Sequence, residues 1–342
     1  PADAGLGELI HFACTSEDVN NLAYALMVKG AVEQVWLPRA TALVDQLAAM
    51  AREHAATPLL AHTHGQPATP TTLGKELAVM VYRLRRQLER IGRTAYLGKL
   101  NGATGTYGAH LAAVPGADWP AVSRAFVESL GLTWNPLTTQ IESHDWQAEL
   151  YADLARFNRV AHNLATDMWT YISLGVFTQI PVAGATGSST MPHKVNPIDF
   201  ENAEGNFGLA NALANHLAGK LPKSRLQRDL TDSTAQRAFG EVFGHALVAY
   251  KSLLKGLGKV EPNKDKMEAE LDGEWAVLAE PLQTVMRAHG VVGAYDIIKQ
   301  ISRGQEFSRE AYLEAIEDLN IPEEAKKSLR ELSPSTYIGQ AG

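Results

Sequence analysis

Residues 140–177 read QIESHDWQAELYADLARFNRVAHNLATDMWTYISLGVF, and this stretch decides the fold. Trp146, Leu150, Leu154, Phe157, Ala161, Leu164, Met168 and Ile172 follow one another by three or four positions, the step that lays side chains along one face of a long α-helix. The same step recurs in Leu73, Leu77, Met80, Leu84, Leu88 and Ile91, and again in Ala235, Phe239, Val242, Ala246, Ala249, Leu253 and Leu257. These segments exceed the roughly 12-residue average helix, and near-heptad stripes on several of them argue for a bundle of long, nearly parallel rods. The expected fold is all-α, a long-helix bundle whose aromatic and methionine positions pack a core rather than line a cofactor site.

Outward from these helices the pattern changes once. After Lys259 the periodic segments shorten, near 263–272, 274–288, 308–318 and 322–332, and Pro262, Gly290, Pro322 and Pro334 punctuate them. The expected division is a central helical-bundle domain at 1–259 and a smaller helical domain at 260–342. With Lys+Arg 31 against Asp+Glu 38 the chain carries net −7, so no global basic field gathers nucleic acid or an anionic membrane, and any anionic ligand must be held by local groups. One cysteine, Cys14, excludes an intrachain disulfide and leaves no cysteine cluster for zinc, which makes a reducing cytoplasmic setting the expectation. No apolar run approaches the roughly 18 residues of a membrane span. The chain opens Pro1-Ala2-Asp3 without a methionine, and its natural N-terminus is expected upstream.

Chemistry is expected in the short segments between the rods. Four of them enter helices. In the first, Thr15 or Ser16 caps, with Glu17 and Asp18 in the first turn; in the second, Thr63-His-Gly-Gln-Pro-Ala-Thr-Pro70, Thr69 caps and Pro70 opens the helix. In the third, Gly184 to Pro197, Asn196 caps and Pro197 opens a helix; in the fourth, Arg225 and Arg228 stand ahead of the helix that carries Arg237. Free N–H groups and a positive helix end suit anions at each, and the arginines make a phosphate or carboxylate clamp. Gly98, Gly102, Gly105 and Gly108 crowd a further stretch whose spacing is neither a dinucleotide fingerprint nor a P-loop, so it reads as a turn-rich connection. His62 and His64 have no third ligand nearby for a metal, Cys14 reads as a small apolar residue, and Ser188 and Ser189 lack the strand-to-helix elbow of an acyl-transfer nucleophile.

The loop Gly187-Ser-Ser-Thr-Met-Pro-His-Lys-Val-Asn-Pro197 resembles the signature G-S-S-x-M-P-x-K-x-N-P of the fumarase/aspartase superfamily. Thr63-His-Gly-Gln66 and Thr15-Ser-Glu-Asp18 are similar to its two other active-site segments, in the same order. Pro192-His-Lys194, Thr63-His-Gly-Gln-Pro-Ala68 and Gln227-Arg-Asp-Leu-Thr-Asp-Ser233 bring the resemblance closest to the adenylosuccinate lyase family, bacterial type; fumarases tend to carry Gly, and argininosuccinate lyases Gln, where His193 stands. The resemblance runs over essentially the whole chain, but begins after that family's N-terminal domain, which carries further substrate contacts and a histidine.

The resemblance implies a homotetramer with a helical core, in which segments of three subunits meet at each site. It implies β-elimination of fumarate from adenylosuccinate, giving AMP, and from the succinylaminoimidazole carboxamide ribotide of purine biosynthesis. Ser188 then corresponds to the base that takes the carbon proton. His64 corresponds to the acid on the leaving nitrogen, a side chain whose ordinary range straddles neutrality. Glu201 orients that histidine. Lys194 and Asn196 bind carboxylate, and Thr15, Ser16, Gln140, Ser189, Asn202, Arg228, Ser233 and Arg237 contact substrate, with His11 beside them. No metal or organic cofactor is called for. Two other readings stay open on sequence grounds: a carboxymuconate cycloisomerase-type sister enzyme, and a non-catalytic helical oligomer.

Overall fold

In the computed structural model the described residues are 5–181, 191, 194–302 and 307–342. Long helices dominate them. The chain forms α1 (Ser16–Gly30), a π-helical stretch (Ala31–Trp36), α2 (Leu37–Glu53), α3 (Leu73–Gly92), α4 (Gly108–Ala113), α5 (Trp119–Ser129), α6 (Asp145–Ser173), α7 (Ile198–Lys220), α8 (Thr231–Gln236) and α9 (Phe239–Leu257). Shorter helices follow: α10 (Lys264–Gly273), α11 (Ala279–Ala288), α12 (Ala294–Ser302), α13 (Arg309–Glu317) and α14 (Glu323–Arg330). The strands are two or three residues long and make four two-stranded pairs: β1 (Pro58–Leu59) with β4 (Thr71–Thr72), β2 (His62–Thr63) with β3 (Gln66–Pro67), β5 (Leu97–Gly98) with β6 (Thr133–Trp134), and β7 (Phe177–Gln179) with β8 (Val260–Pro262). Among the described residues only β5 and β6 run parallel. The all-α expectation stands.

The chain sorts into two compact units. The first comprises Pro1–Val44, Arg83–Thr166 and Ile198–Gly256, and the second Asp45–Tyr82, Asp167–Pro197 and Leu257–Gly342. In the first, the stripe read on α6 is buried from Trp146 through Leu164, and Phe157 and Ala161 are fully enclosed. Trp36 packs edge-on against Phe157 with ring centroids 5.1 Å apart, and Tyr250 meets Phe157 and Phe207 at 5.6 Å each. The two contacts to Phe157 are edge-to-face and the third is tilted, and such ring packing favours one arrangement beyond area burial alone. The Trp36 indole donates to Tyr250 Oη at 2.9 Å and Tyr250 donates to Asn158, which pairs the indole N–H and the Tyr250 hydroxyl inside this core.

In the second unit, Leu278, Leu282, Met286, Ile298, Phe307, Tyr312, Ile316 and Leu329 form a hydrophobic cluster, tied by Tyr312 Oη donating to the Leu329 carbonyl at 2.7 Å. Helices α10, α11, α13 and α14 match the segments expected after Lys259; α12, between Gly293 and Gly304, is additional.

Two helix starts are corrected. The helix after Pro70 begins at Leu73, because Thr71 and Thr72 are taken up in pairing with β1, and Thr72 Oγ1 rather than Thr69 accepts the Lys75 N–H, at 3.1 Å. The stripe from Ala235 to Leu257 is broken between α8 and α9, which leaves Arg237 as the C-cap of α8 rather than inside a helix. Helix α7 begins at Ile198, one residue past Pro197, and Thr15 is the N-cap of α1 as expected.

Candidate active site

Five described residues other than glycine hold left-handed backbone: Ala13 (φ 56°), His64 (φ 53°), Tyr107 (φ 57°), His144 (φ 62°) and Leu226 (φ 51°). Side chains with a Cβ adopt this region at a cost, and such positions collect at functional segments. Each of the five lies within a few residues of a segment singled out from the sequence.

In the first unit three of those segments meet. Arg228 Nη2 donates to Glu17 Oε1 at 2.9 Å and Nη1 to Gln140 Oε1 at 3.1 Å, while Gln140 Nε2 donates to the Ala103 carbonyl at 2.9 Å. Arg228 and Gln140, both expected substrate contacts, are therefore placed together beside Thr15 and Ser16 at the start of α1. Arg228 Nε is buried with no hydrogen-bond partner among the described residues. His11, Ser16 and Arg237 are exposed, and Ser233 is half-buried next to Asp232.

Beneath this surface lies a group that sequence reading did not mark as functional. Asp18 accepts the Thr15 N–H at 2.9 Å, closing half of a capping box, and accepts the N–H groups of Asn101 and Gly102 at 3.0 and 3.1 Å. Lys99 Nζ stands 2.8 Å from Asp18 Oδ1. Burial pulls the Lys99 ammonium below its ordinary pKa, opposed by its hydrogen bond to Asp18. Gly105 could not carry a side chain here: at φ +76° its Cβ would lie 2.2 Å from the Thr138 carbonyl oxygen. The glycine-rich stretch 98–108 is thus a loop, as expected, but one held by charge and close backbone approach. Burial first, and then the Asp18 charge, push the Cys14 thiol up, so it stays protonated and suits the apolar reading.

His144 Nε2 lies 3.2 Å from Asp232 Oδ2, and Gln236 Nε2 lies 3.1 Å from His144 Nε2 and 3.3 Å from Nδ1. These contacts tie the segment after Gln140 to α8, the element that follows Arg228. The only sequence sign of this group was its density of polar residues in two otherwise helical stretches.

On α7 in the first unit, Glu201 is exposed, and Asn202 donates to Ser252 Oγ and accepts from Asn206 Nδ2 at 3.1 Å. In the second unit, His64 and Gly65, both left-handed, make the two-residue turn between β2 and β3, which puts the His64 side chain at an exposed hairpin tip. Lys194 is exposed, with its N–H on the Met191 carbonyl at 3.0 Å, and Asn196 is half-buried. Ser188, Ser189 and His193 lie outside the described residues. No group of three or more His, Cys, Asp or Glu side chains among the described residues is placed to hold a metal ion.

Comparison with known proteins adds the following. Residues 4–210 match the family described as "Lyase" and residues 224–338 the family described as "Adenylosuccinate lyase C-terminal". Adenylosuccinate lyase of Escherichia coli (strain K12) is 53% identical over 336 residues, 98% of this chain and 74% of that protein. The enzymes of Haemophilus influenzae (strain Rd) and Vibrio cholerae (strain O395) are each 52% identical over 98% of this chain and 74% of their own length. Among solved structures, a fumarate lyase from Mesorhizobium sp. BNC1 superposes with TM-score 0.79 at 24% identity, covering 98% of this chain and 76% of that one. The 3-carboxy-cis,cis-muconate lactonizing enzyme of Pseudomonas putida does so with TM-score 0.74 at 23% identity, covering 99% and 76%. At that identity these two establish the fold alone.

Proposed function

This chain belongs to the adenylosuccinate lyase family of carbon–nitrogen lyases, and from that premise we propose how its residues divide the work of eliminating fumarate from a succinylamino nucleotide. The substrates of this reading are adenylosuccinate, which yields AMP, and succinylaminoimidazole carboxamide ribotide. Half-identical relatives over nearly the whole chain favour it over a cycloisomerase or a helical protein without activity.

The reaction needs a base for a carbon proton, donors for the adjacent carboxylate as charge moves onto it, and an acid for the departing nitrogen. Ser188 takes the proton; Lys194 and Asn196 hold the carboxylate. The C–N electron pair leaves with the nitrogen, which His64 protonates, and Glu201 orients that histidine. Arg228, Gln140, Thr15 and Ser16 hold the nucleotide end, with His11, Ser189, Asn202, Ser233 and Arg237 completing the contacts. An exposed hairpin tip suits His64 to this task, because a proton donor must reach a substrate that comes from outside its own hairpin. The observation that carries the reading is the convergence of Gln140 and Arg228 on the start of α1, which gathers the expected substrate contacts from three distant stretches of sequence.

No helix among the described residues is long and apolar enough to cross a membrane. A cytoplasmic homotetramer is part of the proposal, and the free thiol of Cys14 fits a reducing compartment. So is the division near residue 260, supported by a hydrophobic cluster whose buried residues all lie beyond it.

The test is ultraviolet spectroscopy of adenylosuccinate cleavage. The native protein should convert adenylosuccinate to AMP and fumarate. A folded His64→Ala protein should turn over on the order of 10²–10⁴-fold more slowly, the usual contribution of a positioned acid or base. Native turnover in that variant removes His64 from its role.

A further inference from the structure

No part of the Asp18 or Lys99 side chain reaches solvent. Taking two charges out of water is expensive, and apolar residues of similar volume often do as well or better for stability, so a buried pair of this kind calls for another account. Here its account is geometric. The four-residue stretch from Lys99 to Gly102 is sewn to the first two turns of α1 on both sides: the Asp18 carboxylate takes the Asn101 and Gly102 N–H groups, and Lys99 Nζ reaches the Gly102 carbonyl at 3.2 Å. Asn21 Oδ1 accepts the Lys99 N–H at 2.8 Å, and Asn21 Nδ2 donates to the Lys99 carbonyl at 2.9 Å.

From that anchored stretch the hydrogen bonds lead outward and return. Asn101 Nδ2 donates to Thr138 Oγ1 at 2.8 Å, and the next carbonyl along the loop but one, that of Ala103, receives Gln140 Nε2. Gln140 Oε1 accepts from Arg228, and the other arm of Arg228 ends on Glu17, the chain neighbour of Asp18. The circuit closes where it began. A shift of the loop therefore moves the Ala103 carbonyl, then the Gln140 amide, then one of the two acceptors that aim the guanidinium.

We infer that Asp18 and Lys99 are positioning residues for the lyase reaction, fixing the glycine-rich loop against α1 so that Gln140 and Arg228 stand where the nucleotide end of the substrate is bound. The inference rests on the assignment of Gln140 and Arg228 as substrate contacts.

The experiment measures kcat and KM for adenylosuccinate, and Kd for AMP, in full-length native, Lys99→Met, Arg228→Ala and doubly substituted proteins, with folding checked by circular dichroism. In Lys99→Met, KM and Kd should rise about tenfold while kcat falls less than about threefold, the pattern of lost uniform binding. The double variant should be barely worse than Arg228→Ala alone, because both changes disable one contact. Should Lys99→Met fail to fold, Thr138→Val loosens the same loop from its half-buried outer side, and its smaller KM increase should vanish in the same way in the Arg228→Ala background. Native KM and Kd in a folded loop variant, or effects that multiply with those of Arg228→Ala, overturn the positioning role and leave the family reaction untouched. A native protein that releases no fumarate from adenylosuccinate overturns that reading, and this one with it, before any variant is made.

Discussion

Asp232 is 3% exposed, and its two oxygens are treated unequally: Oδ2 faces His144 Nε2, while buried Oδ1 has no partner among the described residues. The Gln236 amide nitrogen lies 3.1 Å from His144 Nε2 and 3.3 Å from Nδ1. Burial disfavours the Asp232 carboxylate, but hydrogen bonds from His144 and the Ser233 N–H, with the His144 and Arg228 charges, outweigh it and hold the group below its ordinary 3.8. The folded state thus takes up this proton less readily than the unfolded chain. Its stabilisation is complete above 3.8 and is lost as the pH falls through the lower, folded value. Asp232→Asn removes it at every pH. The melting temperatures of native and Asp232→Asn proteins should therefore differ at pH 5, and the gap should narrow as the pH falls below 3.8. A constant gap would mean that Asp232 acts through shape and not through charge.

Among the elements, the long helices were the most legible, and the reason is physical. On α6 a single local period carries the burial pattern across 29 residues, and the stripe read from spacing is the buried one through Met168. Where an element is set by distant partners, spacing fails. Thr71 and Thr72 read as the opening of a helix but are held extended by Pro58 and Leu59, and nothing near Thr69 in sequence announces that pairing. Likewise α12 was hidden by Gly290, which read as punctuation and is, with Gly293, a left-handed turn residue before it. The site divides along the same line. The proposed substrate contacts sit in motif-bearing segments and are named by resemblance; Lys99 sits in no motif, and its partner Asp18 lies on another element. Thr72 shows what such a hidden contact is worth. Its hydroxyl caps Lys75 and donates to the Ala341 carbonyl at 2.9 Å, and the residue is fully buried. Thr72→Val keeps the shape and deletes both bonds, leaving the half-buried Ala341 carbonyl and a helix N–H unmatched. Urea unfolding should show a loss of about 1–3 kcal/mol. Thr72→Ser, which restores the oxygen, should recover most of it.

At the scale of the whole molecule, apolar side chains stand exposed along several of the long helices. In the first unit these include Val19, Leu26 and Met27 on α1, Leu209 on α7 and Val248 on α9; in the second, Val79 and Tyr82 on α3. Scattered apolar residues are normal on any surface, but several on neighbouring turns of one helix, as Val19, Leu26 and Met27 are on α1, suit a surface where another chain packs. This supports the homotetramer, and it bears on the site, since His64 and Ser188 come from separate segments that a symmetric assembly can bring together from different copies. Complementation decides the matter. Full-length His64→Ala and Ser188→Ala proteins, each inactive, are dissociated, mixed in equal amounts and reassembled. If the two residues of one site come from different chains, a site is intact when its histidine is drawn from a Ser188→Ala chain and its serine from a His64→Ala chain. Random mixing gives that combination at about a quarter of the sites, so activity should return to about that fraction of native. If each chain builds its own site, every site keeps one lesion, and mixed tetramers confirmed by native mass spectrometry should stay as inactive as their parents.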